Sequence, residues 1–105
     1  MCDSVLRGRV VLADSVIDDG VIKVRDGAIV RVAPASQYGQ GLPGPTDSTF
    51  LPGLVDVHCH GGGGESFPNA ATPQEALVAV MEHRRHGTTS LVASCVTASA
   101  DVLRA

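Results

Sequence analysis

An excess of positive charge is missing from this sequence. Its 8 Lys and Arg against 11 Asp and Glu leave a net charge of −3 with histidine neutral. No basic run occurs, so the electrostatic footprint of a polyanion binder is absent and nucleic acid is excluded as a partner. Long apolar runs are missing too. The longest uncharged stretch, Gly87 to Ala100, is full of Ser and Thr and falls short of the roughly 20 apolar residues of a bilayer-spanning helix, so no membrane partner is expected. No apolar segment follows a basic start, and the expected location is the cytoplasm. Cysteine is scarce: Cys2, Cys59 and Cys95 are odd in number and unrelated in spacing. They support neither a disulfide framework nor a Cys-x-x-Cys metal motif, and are read as reduced thiols. What is present, 44% apolar and 18% charged residues, is ordinary globular usage. At 105 residues this is one small domain, or the front piece of something larger.

Val5 to Ala33 alternates β-branched with polar or small residues, the pattern of short antiparallel strands. Asp26-Gly27 between Val21–Arg25 and Ala28–Val32 suits a two-residue type I′ hairpin. Asp18-Asp19-Gly20 is read as a second turn, separating that hairpin from an earlier strand over Leu6 to Leu12. Pro34 to Thr49, rich in Pro, Ser, Thr and Gly, reads as a connector.

After it, Pro52-Gly53 opens the near-continuous apolar run Leu54 to His60, expected to be a buried parallel strand. Thr72-Pro73-Gln74-Glu75 is a helix start with a capping box, and an apolar stripe runs to Gly87, predicting a helix over 73–86. Thr88 to Val96 reads as a second buried strand containing Cys95, and Thr97 to Ala105 as the start of another helix. A strand–helix–strand order after an antiparallel stretch predicts a parallel sheet.

His58 and His60 lie two apart on that strand, so a period of two aims both imidazoles to one side, together with Asp56. Both can reach one divalent ion, for which imidazole is a suitable ligand. Their position, at the C-terminal end of a parallel strand and before Gly61, Gly62, Gly63 and Gly64, is where α/β barrels gather active sites. The glycines are read as a flexible loop lining the site. No Lys-Ser/Thr follows them, which excludes a P-loop. Asp56 is read as orienting a ligand or the backbone rather than ligating. Cys59 is expected to face the helix layer as a small core residue. His83 and His86, in the order Glu-His-Arg-Arg-His, do not form the His-Glu-x-x-His motif and are read as a solvated helix face.

The run Leu51-Pro52-Gly53-Leu54-Val55-Asp56-Val57-His58-Cys59-His60 followed by Gly61 to Gly64 resembles the entry strand of the amidohydrolase superfamily, and within it the N-acetylglucosamine-6-phosphate deacetylases. The β segment before it and His86-Gly87-Thr88-Thr89-Ser90 after it are similar as well. Dihydroorotase-like and hydantoinase-like relatives usually place an Arg or a bulkier residue soon after the second His, where Gly61 to Gly64 follow here. The resemblance implies an α/β fold: a metal-dependent (β/α)8 barrel preceded by a small antiparallel β-sandwich segment, both incomplete here. Residues 1–49 would be the N-terminal part of the sandwich domain, and 50–105 the first two β/α units of the barrel. It implies one or two divalent ions, zinc first and iron or another metal next, with His58 and His60 as ligands, Gly61 to Gly64 as substrate loop and Asp56 in support. The catalytic Asp and the remaining ligands would lie after residue 105, so no catalytic residue is assigned within this chain. The implied reaction is hydrolysis of N-acetylglucosamine 6-phosphate to glucosamine 6-phosphate and acetate in amino-sugar catabolism, by a homo-oligomer, a dimer, whose partner is that small molecule. Two alternatives stand beside it. One is another amidohydrolase acting on cyclic amides or nucleobases, of the dihydropyrimidinase, dihydroorotase or deaminase type. The other is a noncatalytic metal-binding or interaction module.

A barrel of about 250 residues spends roughly 31 on each unit, which leaves room after residue 50 for about two of the eight. The 105 residues expressed alone are therefore expected to be inactive, aggregation-prone or only partly folded, and to hold metal weakly. Deacetylation by the purified 105-residue polypeptide, or a cooperative thermal transition independent of its concentration, would count against that expectation.

Overall fold

The computed structural model describes residues 3 to 104, so Cys2 and Ala105 lie outside the described residues. The chain has a mixed, sheet-rich α/β fold and divides into two compact units, Met1–Pro52 and Gly53–Ala105.

In the first unit, strands β1 (Asp3–Val11), β2 (Val16–Arg25) and β3 (Ala28–Pro34) form an antiparallel meander, and β4 (Thr49–Phe50) adds in parallel to β1. Their spatial order is β3-β2-β1-β4. Asp26 and Gly27 both have positive φ, 50° and 78°, the backbone of a type I′ turn. Val10, Val21, Ile22, Ala33 and Ala35 are buried.

Asp18-Asp19-Gly20 is not a turn, contrary to the expectation from sequence; all three residues lie inside β2. The chain reverses earlier, where Leu12 N–H donates to Ser15 O at 2.8 Å. Cross-strand charge explains the difference. The Arg7 guanidinium grips Asp19 through two bonds of 2.7 and 2.8 Å, and Arg9 lies 3.4 Å from Asp18. Gly20 serves a close approach, since a Cβ there would stand 2.7 Å from Val10 Cγ2. The hydrogen bond from Arg7 holds the Asp19 carboxyl below its ordinary value, and Arg25 does the same for Asp3. Both pairs add stability above the ordinary aspartate range and lose it as pH falls through the lowered values. As exposed pairs they add little.

In the second unit, β5 (Leu54–Cys59) and β8 (Thr88–Ala93) pair in parallel, joined through a hairpin of β6 (Gly61–Gly62) and β7 (Glu65–Ser66) and the helix α1 (Pro73–Arg85). A short helix α2 (Ala100–Arg104) follows. The helix starts as its sequence dictates: Thr72 Oγ1 accepts from Glu75 N–H at 3.3 Å and Pro73 occupies the first turn. The Glu75 carboxylate reaches back to Ala71 N–H at 2.7 Å, one residue before the cap. Gly87, with φ 100°, ends the helix.

Three expectations change. β8 stops at Ala93, so Cys95 lies beyond the strand and is exposed rather than a core residue. α2 begins at Ala100, later than Thr97. β5 is not buried along its length: Cys59 is buried, while Leu54, Val55 and Val57 are exposed, because a two-stranded sheet with one long helix covers little of its own surface.

Gly8 carries the tightest packing in the first unit. A Cβ there would run into Ser48 O and stand 2.9 Å from the Phe50 ring, where β4 lies against β1. Gly8→Ala in the complete protein is expected to cost about 1–3 kcal/mol. A denaturant midpoint unchanged by the substitution would show that residues 46–50 do not press on β1 as described.

Candidate metal centre

β5 ends in a bulge. Asp56 pairs with Leu91 and Cys59 with Ala93, so three steps on β5 face two on β8. The irregularity separates side chains that a strict period of two would align. His58 and His60 stay together, with Nε2 atoms 2.9 Å apart and ring centroids at 4.8 Å. The Asp56 carboxylate turns instead toward Cys59 and His83, and the ligand atoms of these three residues lie within 4.8 Å of one another. Asp56 Oδ1 accepts the backbone N–H of His58 at 3.1 Å, so its visible action is on the backbone.

The proton positions on His60 follow from its partners. Nδ1 lies 2.9 Å from the carbonyl oxygen of Ser94, which can only accept, so Nδ1 carries the hydrogen and Nε2 keeps its lone pair. That lone pair is directed at His58 Nε2. Two exposed imidazole nitrogens at this separation suit a shared divalent ion, and a backbone carbonyl fixing the distal nitrogen is the usual support of a metal-bound histidine. The donor set present therefore fits such an ion. Ser94 also donates its N–H to Cys59 O at 2.8 Å, so the backbone of one residue holds both the strand end and the ring. Sequence reasoning did not find Ser94; it acts through its backbone and leaves no residue signature.

Gly61 to Gly64 form a tight hairpin rather than an open flexible loop. Gly61 pairs with Ser66 and Gly62 with Glu65, while Gly63 and Gly64 turn the chain with φ of 62° and 92°. The hairpin lies on α1: Cβ atoms at Gly62 and Gly63 would stand 2.9 Å from His83 Nε2 and 3.3 Å from Val78 and Glu82. His83 is thus not on a solvated face. It is half-buried, with Nε2 2.9 Å from Gly61 O and 3.2 Å from Cys59 Sγ. His86 is exposed, its Nδ1 2.9 Å from Glu82 O.

No protein-family model matches the chain. It is 33% identical over 93 residues, 84% of its length, to the N-acetylglucosamine-6-phosphate deacetylase of Bacillus subtilis, of which it covers 23%. It is 30% identical over 60 residues, 57% of its length, to the N-acetylgalactosamine-6-phosphate deacetylase of a Shewanella species, of which it covers 15%. Among solved structures, a mutant N-acetyl-D-glucosamine-6-phosphate deacetylase from Mycobacterium smegmatis, in complex with N-acetyl-D-glucosamine-6-phosphate, superposes with a TM-score of 0.84 at 35% identity. That match covers 96% of this chain and 26% of the other. The chain thus spans about a quarter of the length of the Bacillus and Mycobacterium proteins it resembles.

The Ser94 carbonyl makes a prediction about His60. In the metal-free complete protein, long-range 15N–1H correlation spectra should show His60 as the Nδ1–H tautomer. A His60 found mainly as Nε2–H would show that the Ser94 contact does not hold the ring.

Proposed function

We propose that this chain, whose relatives at 33–35% identity are N-acetylglucosamine-6-phosphate deacetylases, forms the N-terminal part of a metal-dependent deacetylase of amino-sugar phosphates. In this reading residues 1–49 belong to a small β-sandwich domain and residues 50–105 supply the first two β/α units of a (β/α)8 barrel. The exposed Leu54, Val55, Val57 and Val92 support it, since two parallel strands need further strands to cover such side chains. The observation that carries the reading is the pair of imidazoles at the C-terminal end of a parallel strand, with Nε2 atoms 2.9 Å apart and His60 held by a carbonyl in its metal-ready tautomer.

His58 and His60 would hold a divalent ion, with zinc the first choice for a set of imidazoles. The chemistry such an ion supplies is polarisation of the acetamide carbonyl and activation of water. The chain's own residues do the rest of what is visible. Ser94 O keeps the proton on Nδ1 and frees Nε2, and Asp56 fixes the peptide that carries His58. The glycine hairpin follows His60 directly and packs its backbone against α1, and in this reading Gly61 to Gly64 line the substrate site with backbone. No basic residue stands beside His58 or His60 in sequence, so recognition of a 6-phosphate falls to residues after 105 or to another subunit of the expected dimer. The reaction proposed is hydrolysis of N-acetylglucosamine 6-phosphate to glucosamine 6-phosphate and acetate, in the cytoplasm.

Two measurements on the complete protein test this. Replacing both histidines, His58→Asn with His60→Asn, should reduce bound divalent metal and lower activity by about 10- to 100-fold or more, with the fold retained. Assays with N-acetylglucosamine 6-phosphate, its galactosamine epimer and N-acetylglucosamine itself should show turnover that requires the phosphate. Unchanged metal content with full activity, or activity confined to dihydropyrimidines, would overturn the assignment.

A further inference from the structure

We propose that His83 is a positioning residue for the metal-binding end of β5, acting through the two residues that flank His60. The inference rests on the metal-centre reading above and adds a residue to it. The His83 imidazole projects from α1, and its Nε2 lies 2.9 Å from the carbonyl oxygen of Gly61. A carbonyl accepts only, so the hydrogen sits on Nε2. The same N–H faces Cys59 Sγ at 3.2 Å. Cys59 and Gly61 are the neighbours of His60 on either side, so one ring on a rigid helix grips the chain before and after a proposed ligand.

Three further observations agree. Cys59 is 4% exposed, which fixes that anchor against α1. The hairpin presses on the ring, since a Cβ on Gly62 would stand 2.9 Å from Nε2, and any side chain there would push His83 out of reach. The ring of His60 is itself held at Nδ1 by Ser94 O. Without the donor, the Gly61 carbonyl loses its partner on α1, and the His60–Gly61 segment is left to its bonds with the hairpin and Phe67 N–H, which do not tie it to the helix. The placement of Asp56, Cys59 and His83 within 4.8 Å invites a different reading, a separate thiolate-containing metal site. The proton on Nε2 argues against it, because that nitrogen has no lone pair to offer.

The test uses the complete protein, titrated with Co(II) and Zn(II) against a chelator. His83→Gln retains an N–H close to the position of Nε2, whereas His83→Asn is too short to reach Gly61. His83→Asn should weaken metal binding about 10- to 100-fold, alter the visible Co(II) spectrum and lower kcat with little change in KM. His83→Gln should restore most of each. Independently of any variant, long-range 15N–1H spectra of the wild-type protein should show His83 as the Nε2–H tautomer. The proposal is overturned by a folded His83→Asn protein with unchanged metal affinity and cobalt spectrum, by Gln and Asn variants equally impaired, by an Nδ1–H tautomer, or by a thiolate-to-cobalt charge-transfer band that Cys59→Ser removes. If His58→Asn with His60→Asn leaves metal binding untouched, the metal-centre reading falls and this inference with it. If that pair abolishes binding while His83→Asn does nothing, this inference alone falls.

Discussion

The backbone of Ser94 makes the contacts on which the candidate centre depends. Its N–H completes the parallel pairing at the end of β5 by bonding Cys59 O, and its carbonyl accepts the proton of His60 Nδ1. Strand pairing and ring orientation are therefore one event: if β8 slips along β5, the carbonyl moves away from the imidazole. The bulge opposite Ala93 matters for the same reason. By inserting a step into β5 it keeps both imidazoles at the strand end and sends the Asp56 carboxylate toward α1, where it bonds the backbone of His58.

Around that contact the second unit is built from close approaches that only small residues permit. Gly61 to Gly63 bring backbone to within reach of α1 and Ser66, and Gly53 lies so close to Thr89 that a Cβ would collide with its side chain. Backbone in such contact is positioned by packing rather than by side-chain interlock, and its polar groups still need partners. His83 answers that need for Gly61, and Phe67 N–H does so for His60 O. The first unit follows a different economy, in which β-branched side chains bury on one sheet and paired charges cross from β1 to β2.

Much of this was legible in advance. The hairpin at Asp26-Gly27, the helix from Pro73 with its Thr72 cap, and the parallel strand order all follow from local rules that need no distant partner. Misreadings arose where a distant partner decides. Asp18-Asp19-Gly20 has turn composition, yet Arg7 and Arg9 on the neighbouring strand hold it extended. His83 looked solvated because its surroundings come from a hairpin some twenty residues earlier in the chain, and Cys95 looked buried because the end of β8 is set by its pairing with β5 rather than by composition.

By itself the sequence determined which residue types could do chemistry and where they stand along the chain: two histidines at a spacing of two, after an apolar run and before four glycines. Those are local properties, set by strand period and by the conformations glycine allows. Tertiary structure alone decided which nitrogen of His60 keeps its lone pair, that Asp56 turns to the backbone, and that His83 reaches Cys59 and Gly61. Hydrogen bonds to backbone carbonyls settle each of these, and a carbonyl is common to every residue. Its position is knowable only once the chain has brought it there.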